Sequence, residues 1–336
     1  HARWVQGVGY RMIEEASLHI GNTSVVTLTG DFMFVYEELT HGVKRLREMV
    51  GNYDTREEMI EFSRFKQVLY VPLSFWFTKS FSTCLPLVAL SFNRAVVKVK
   101  LRTPKDLIVV NDAMVKVHFN NSSSASNGEF DSSFSFYIAV EHVYLAEEER
   151  DLISDGDGMK DANGDTIHLC EQLQVYGGDS GQQLTAQESR HQVDFNHTIK
   201  YLLWFIRRPC NVVDPYNFSG IDGRPPQATC ELRLNGNSRF GGTDADLHPE
   251  IEYRQVMAHR MWPNLPQRHI YSFCFAIDPS HIQPSGCLNG SRLTSMQFTI
   301  GLQQGLNAEN PNLHLMAVNY NLLTIRAGTA GALYNS

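Results

Sequence analysis

With 336 residues the chain has room for two ordinary domains or one large all-β unit, and a chain of this size buries most of its apolar surface. Hydrophobic residues make up 43% and charged residues 19%, below the roughly 25% of an average soluble protein, which excludes long disorder and favours buried strands. The 29 Lys and Arg against 36 Asp and Glu leave a formal charge of -7, which argues against a non-specific nucleic-acid binder working through clustered cations.

The chain opens His1-Ala2-Arg3-Trp4, with no initiator Met and no basic-then-apolar leader, and this reads as a cut start. Strands are expected over 17–20 and 25–29. A helix follows over 36–52, where Leu39, Val43, Leu46 and Val50 recur at three- and four-residue spacing. Thr55 followed by Glu58 has the form of a capping box opening a second short helix. Both helices are expected to connect strands rather than to form a layer.

Residues 68–77 read as a further strand, and 97–102 (VKVKLR) alternate apolar with charged side chains, the mark of a strand with one wet face. The small polar segment 120–131 (NNSSSASNGEFD) reads as an exposed loop, followed by a strand over 134–145. Residues 147–165 are the most acidic part of the chain and 177–192 are polar, so a boundary belongs between 150 and 190. Beyond it, strands are expected over 199–206, 230–234, 271–277, 298–302 and 313–325. The apolar runs at 70–77 and 201–206 fall far short of the roughly 20 residues that span a bilayer. Short strands with turn-rich connections predict sandwiches or barrels.

The chemical motifs are weak. Cys84, Cys170, Cys210, Cys230, Cys274 and Cys287 lie far apart without a C-x-x-C pair and are expected to be buried thiols. Gly178-Asp179-Ser180-Gly181 copies four residues of a serine-protease nucleophile loop. Gln182 replaces that family's next Gly, and His41, His118, His142 and His168 lack the context of its base. Asp155, Asp157, Asp161, Asn163 and Asp165 crowd oxygen ligands as calcium requires. Counted from Asp161, however, the sixth position is Thr166 rather than Gly and the twelfth Gln172 rather than Glu, so a solvated acidic loop is the better reading. His248, His259, His269 and His281 are about ten residues apart, with no His-x-His or His-Glu-x-x-His, which points away from metal and from a two-barrel cupin enzyme. Sequons start at Asn22, Asn120, Asn121, Asn196, Asn217 and Asn289. Asn120 and Asn121, in the expected loop, are the candidates for glycosylation.

Several longer segments resemble the major capsid protein of nucleocytoplasmic large DNA viruses. Residues 70–79 (YVPLSFWFTK) with 85–93 (LPLVALSFN) resemble that family's Pro-Leu-x-Phe-Phe-Phe and Leu-Pro-x-x-Ala-Leu elements. Residues 143–150 (VYLAEEER), 232–240 (LRLNGNSRF) and 270–278 (IYSFCFAID), the last followed by Gln283-Pro-Ser-Gly286 and Ser291-Arg292, are similar to further elements in the same order. Residues 319–323 and 331–334 are similar to its terminal strand.

The resemblance implies an all-β chain of two consecutive eight-stranded antiparallel jelly-roll sandwiches with short connecting helices. The first would span 1–150, without counterparts of its opening strands. An acidic linker would span 151–171, with 154–165 resembling an insertion, and the second sandwich 172–336. It also implies a homotrimer forming a pseudo-hexagonal capsomer, partnered by neighbouring capsomers and minor or cement proteins, in the outer shell of a virion assembled in the host cytoplasm. No enzyme activity, cofactor, direct nucleic-acid contact or membrane span is implied. Trp76, Phe77, Trp204, Phe273 and Phe275 are expected to fill sandwich cores, because aromatic rings bury the largest apolar areas. The alternatives are a minor capsid protein, a glycan- or receptor-binding jelly roll, and an enzyme on paired sandwiches.

Overall fold

The computed structural model describes residues 2–41, 44–53, 55–103, 106–110, 113–114, 135–155, 160, 165–212, 214–241, 262–264, 268–326 and 328–332. In the first half these form β1 (Ala2–Trp4), β2 (Ile13–Ile20), β3 (Thr23–Thr29), β4 (Ala95–Leu101), β5 (Ile108–Val110) and β6 (Ala113–Met114). They pair into two antiparallel sheets, in the orders β3-β2-β4 and β1-β5-β6. The helices are α1 (Val8–Met12), α2 (Gly30–Thr40), α3 (Lys44–Met49), α4 (Arg56–Phe62) and α5 (Glu147–Asp155).

The second half adds β7 (Thr166–Tyr176), β8 (Gln182–Gln183), β9 (Glu188–Gln192), β10 (Thr198–Arg207), β11 (Gln227–Leu234), β12 (Asn237–Phe240), β13 (Tyr271–Cys274), β14 (Leu288–Asn289), β15 (Met296–Leu302), β16 (Asn312–Arg326) and β17 (Thr329–Ala332). A four-stranded sheet, β12-β11-β15-β9, faces a seven-stranded one built on β10 and β16. Side chains from both sheets, among them Leu202, Trp204, Leu232, Phe298, Ile300 and Leu315, fill the space between them. The mostly β architecture agrees with the sequence. The tight β11–β12 connection is Asn235-Gly236, both at positive φ (50° and 82°), the pair best suited to a two-residue hairpin.

The seven-stranded sheet is buried on both faces. Along β10, Leu202, Trp204 and Ile206 enter the sandwich core, while Tyr201, Leu203 and Phe205 join a second core with α2 and β2 of the first half. The switch of face occurs at Lys200. The β10–β16 register skips from Ile199 to Tyr201, and the Lys200 carbonyl accepts both Phe275 N and Ala276 N. Such a bulge inverts the side-chain alternation and turns Lys200 inward. It also stops β13 at Cys274, so the strand expected over 271–277 is four residues long and Ile277 is exposed.

Helix α2 differs from expectation in start and in role. It begins at Gly30, with the Thr29 hydroxyl accepting Phe32 N at 3.2 Å, and it breaks after Thr40, so 36–52 is not one helix. Every residue from Gly30 to Leu39 is buried, so α2 is part of the core rather than a connector. A Cβ on Gly30 would meet Tyr10 O at 2.2 Å and Ile13 O at 2.3 Å, and neither backbone atom can yield cheaply. Gly30→Ala is therefore expected to cost about 2–3 kcal/mol, read as a lowered urea midpoint at unchanged slope.

The capping box is present: Thr55 accepts Glu58 N, and the Glu58 carboxylate accepts Thr55 N, opening α4. Residues 68–77 are not a strand but an irregular path ending in a 3-10 turn, Trp76–Thr78. Among 134–145, the described residues 135–145 are irregular and almost wholly exposed. Only half of the cysteines are buried. Cys170, Cys230 and Cys274 lie inside, whereas Cys84 after a 3-10 turn, Cys210 past the end of β10 and Cys287 in the loop before β14 are exposed free thiols.

Candidate functional site

Charged side chains pin the seam between the two halves. Glu171 on β7 is 6% exposed and lies between two ammonium groups, Lys79 Nζ at 2.5 Å and Lys200 Nζ at 2.6 Å. Lys200, wholly buried, also donates to His281 O at 2.6 Å, and Lys79 sits 4.5 Å over the Tyr36 ring. Burial works against charge on Glu171, but the two ammoniums outweigh it and hold its pKa below the usual value. For Lys200 burial prevails and the pKa is lowered. For Lys79 burial is outweighed by Glu171 and Tyr36, and its pKa is raised.

A second charged group lies at the other end of β10. Asp31, in the first turn of α2, accepts Arg207 Nη1 at 2.9 Å and faces Arg11 at 3.6 Å, with Arg207 Nε donating to Pro215 O. Burial pushes the Asp31 pKa upward, but Arg207 and Arg11 outweigh it and hold it far below the carboxylate range. His314 is pushed down to about 3 by burial and by Arg207, so it stays neutral. A polar notch of about 240 Å³ opens on the same seam, lined by Gln6, Arg47, Asp214, Asn217, Ser219 and Arg268 among others. Arg268 is a clamp there, donating to Tyr216 O, Asn52 Oδ1 and Gln6 Oε1.

The surface is lopsided. Phe65, Val68, Phe81, Phe92, Tyr137 and Tyr144 are all more than half exposed, and the described large apolar groups that are exposed lie almost entirely between 65 and 152. In the second half Ile277 is the one such residue among those described. Exposed apolar side chains in this number are candidates for an interaction surface.

The residues singled out from sequence fall as follows. Trp76, Trp204 and Phe273 are buried, while Phe77 and Phe275 are half-buried at the core margins. Asp157, Asp161, Asn163, Asn120 and Asn121 lie outside the described residues, as does the side chain of Asp155. Asp165 faces Arg326 Nε at 3.5 Å. Gly178–Gly181 is a tight turn closed by Gly181 N on Gly178 O, with Ser180 at the surface. Among the described residues no three His, Cys, Asp or Glu side chains are grouped to hold a metal, and no helix is long and apolar enough to cross a membrane. The charged seam carries no local motif. Its nearest signal in the sequence is a lysine inside the apolar run 199–206.

The sheet built on β10 and β16 is thus a wall shared by two cores, and the exposed large apolar side chains among the described residues gather in the first half. Two family profiles match in chain order: the major capsid protein N-terminus over residues 1–146, and the large eukaryotic DNA virus major capsid protein over 162–331. The chain belongs to the family of large eukaryotic DNA virus major capsid proteins. It is 22% identical to the major capsid protein of Pyramimonas orientalis virus, over 98% of this chain and 78% of that one. It is 23% identical to that of Paramecium bursaria Chlorella virus 1, over 96% and 79%. Among solved structures it matches the PBCV-1 virus capsid with TM-score 0.68 at 18% identity, covering 99% of this chain and 86% of that one. The Faustovirus major capsid protein matches with TM-score 0.67 at 10% identity, over 97% and 73%. The protein is thus a structural coat component of the virion shell, not an enzyme.

Proposed function

We propose that the chain assembles as a homotrimer in which residues 1–150 and 172–336 act as two jelly rolls, giving a capsomer of pseudo-hexagonal outline that tiles an icosahedral shell. The acidic 151–171 segment joins the halves, and the split between the two family profiles, at 146 and 162, supports that division. Neighbouring capsomers and minor or cement proteins are its partners, and assembly takes place in the host cytoplasm.

The observation that carries the trimer is the crowding of exposed apolar side chains into residues 65–152, against Ile277 alone among the described residues of the second half. Burying such a surface against like copies stabilises by roughly 25 cal/mol per Å², and weak lateral contacts then add through multivalency. Light scattering coupled to size exclusion should give about 114 kDa, three times the 38.1 kDa chain. Phe92→Ser with Tyr144→Ser should shift the mass toward one copy without changing the folded circular-dichroism spectrum. A stable monomer from the unaltered protein overturns the capsomer reading.

A further inference from the structure

Three guanidiniums gather at the end of the seam marked by Asp31. Arg207, the last residue of β10, donates Nε to Pro215 O and Nη1 to Asp31 Oδ2, both at 2.9 Å. Its Nη2 is buried without a hydrogen-bond partner among the described residues. Arg11 of α1 faces the other oxygen of Asp31 at 3.6 Å. Arg102 follows β4, and its backbone N donates to Met12 O at 2.8 Å, which holds it beside the end of α1. Its Nε, too, is buried without a partner. Tyr216 of the second half is wholly buried and stacked on Phe34 at 3.8 Å, and its hydroxyl is equally unpartnered.

The charges in this group do not balance. Among the described residues Asp31 is the one carboxylate within 4.0 Å of Arg11 or Arg207, and Glu14, which also feels Arg102, is engaged by Lys100 Nζ at 2.8 Å. His314 is neutral and adds nothing to either side. Arg11 shows the crowding: burial lowers its pKa, and Arg207 and Arg102 lower it further against the pull of Asp31 and Tyr216. Burial raises the Tyr216 phenol, Asp31 adds to the rise and the three arginines oppose it, so all four charges face a hydroxyl that keeps its proton. Buried donors without acceptors are rare in folded proteins, and charged ones are the costliest to leave unpaired. Here three such donors, two of them on guanidiniums, share one place with a surplus of positive charge.

We propose that Arg11, Arg102, Arg207 and the Tyr216 hydroxyl bind one small oxyanion of the phosphate type. A guanidinium presents paired N–H groups at the spacing of two oxygens of such an ion, and the hydroxyl supplies a further donor. The ion is free rather than part of a strand of nucleic acid, because the Arg11 and Arg207 side chains are only 21% and 15% exposed and Tyr216 is wholly buried. Arg11 and Arg102 come from the first half, Arg207 and Tyr216 from the second, so the bound ion ties the halves together. The site lies within one chain and does not depend on how many copies assemble.

Calorimetric titration of the full chain with inorganic phosphate at pH 7, at ionic strength held constant with NaCl, tests this and should show saturable binding of one ion per chain. Arg102→Gln should weaken that binding roughly 10- to 100-fold, the value of one charge-assisted hydrogen bond. Phosphate at 100 times its dissociation constant should multiply the folding constant of the unaltered chain by about 100, read from urea unfolding, and that of Arg102→Gln far less. The comparison removes the general stabilisation by excluded salt, which both chains share. Single-stranded DNA of equal phosphate content should not compete, and competition overturns the free-ion assignment. If Arg102→Gln does not fold, crystals of the unaltered protein grown with selenate decide, since the anomalous peak must lie within hydrogen-bond reach of Arg207 Nη2 and the Tyr216 hydroxyl. No saturable binding, an undiminished response in Arg102→Gln, or the absence of that peak overturns the site.

Discussion

Glu171→Gln is expected to lower the stability of the folded chain by about 3–5 kcal/mol, the loss typical when one partner is removed from a buried ionic group. The change keeps the shape of the side chain but removes its charge, leaving the buried ammoniums of Lys79 and Lys200 to repel each other without an anion. The desolvation that all three groups suffer in the folded state is then no longer repaid by attraction. The triple change Lys79→Met, Glu171→Leu, Lys200→Met should behave differently, because replacing a buried ionic cluster with packed apolar side chains is often neutral or stabilising by about 1–4 kcal/mol. Urea midpoints of the single and triple variants separate a charge effect from a packing one. A harmless Glu171→Gln would mean that water reaches the cluster and screens it.

The same group sets the acid limb of stability. Glu171 and Asp31 have folded pKa values depressed by their cations, so their contribution is present above the ordinary carboxylate range and is lost as pH falls through it. Glu37 of α2, whose carboxyl is pushed up to about 7 by burial, has the opposite sign and weakens the fold as pH rises toward and past 7. Stability is thus expected to peak in mild acid, between the two limbs.

The elements legible from sequence were those whose local pattern and tertiary role agree. The alternation of β4, the continuous apolar runs of β10 and β16 and the Thr55–Glu58 box each stand on a rule that the surroundings do not override. Elements were missed where the tertiary role dominates. Strand β9 (Glu188–Gln192) is wholly polar and is held by backbone pairing to β15, and β7 mixes Gln and Glu with apolar residues because β16 supplies the order. Residues 68–77 are as apolar as a strand but serve as irregular packing, placing Phe75 and Trp76 against the core around α2. Helix α2 was misplaced because a helix buried all round has no polar face to give it a 3.6-residue period. The Glu171 triad could not be read at all, since its members are 92 and 29 residues apart and only the bulge at Lys200 turns that side chain inward.

Trp204→Ala is expected to have an effect of similar size, and its form tests how the two halves are joined. Trp204 is fully buried, lies parallel to Phe240 at 6.2 Å and edge-on to Phe298 at 5.2 Å, and donates Nε1 to Gln227 Oε1 at 2.7 Å. Truncation leaves a large cavity, worth about 3–5 kcal/mol. It also strands the amide of Gln227, 1% exposed and already without a partner for Nε2, which adds about 1–3 kcal/mol. Trp204→Phe keeps much of the ring and should lose less, and Phe275→Ala at the half-buried margin less again. The neighbours Leu203 and Phe205 of the same strand project into the other core, with α2 and β2. A cavity behind β10 therefore weakens the wall on which the first half packs. Two independent sandwiches would melt in two steps, with Trp204→Ala lowering one alone. A wall shared by both cores requires a single transition, reported at the same lowered urea midpoint by probes in either half.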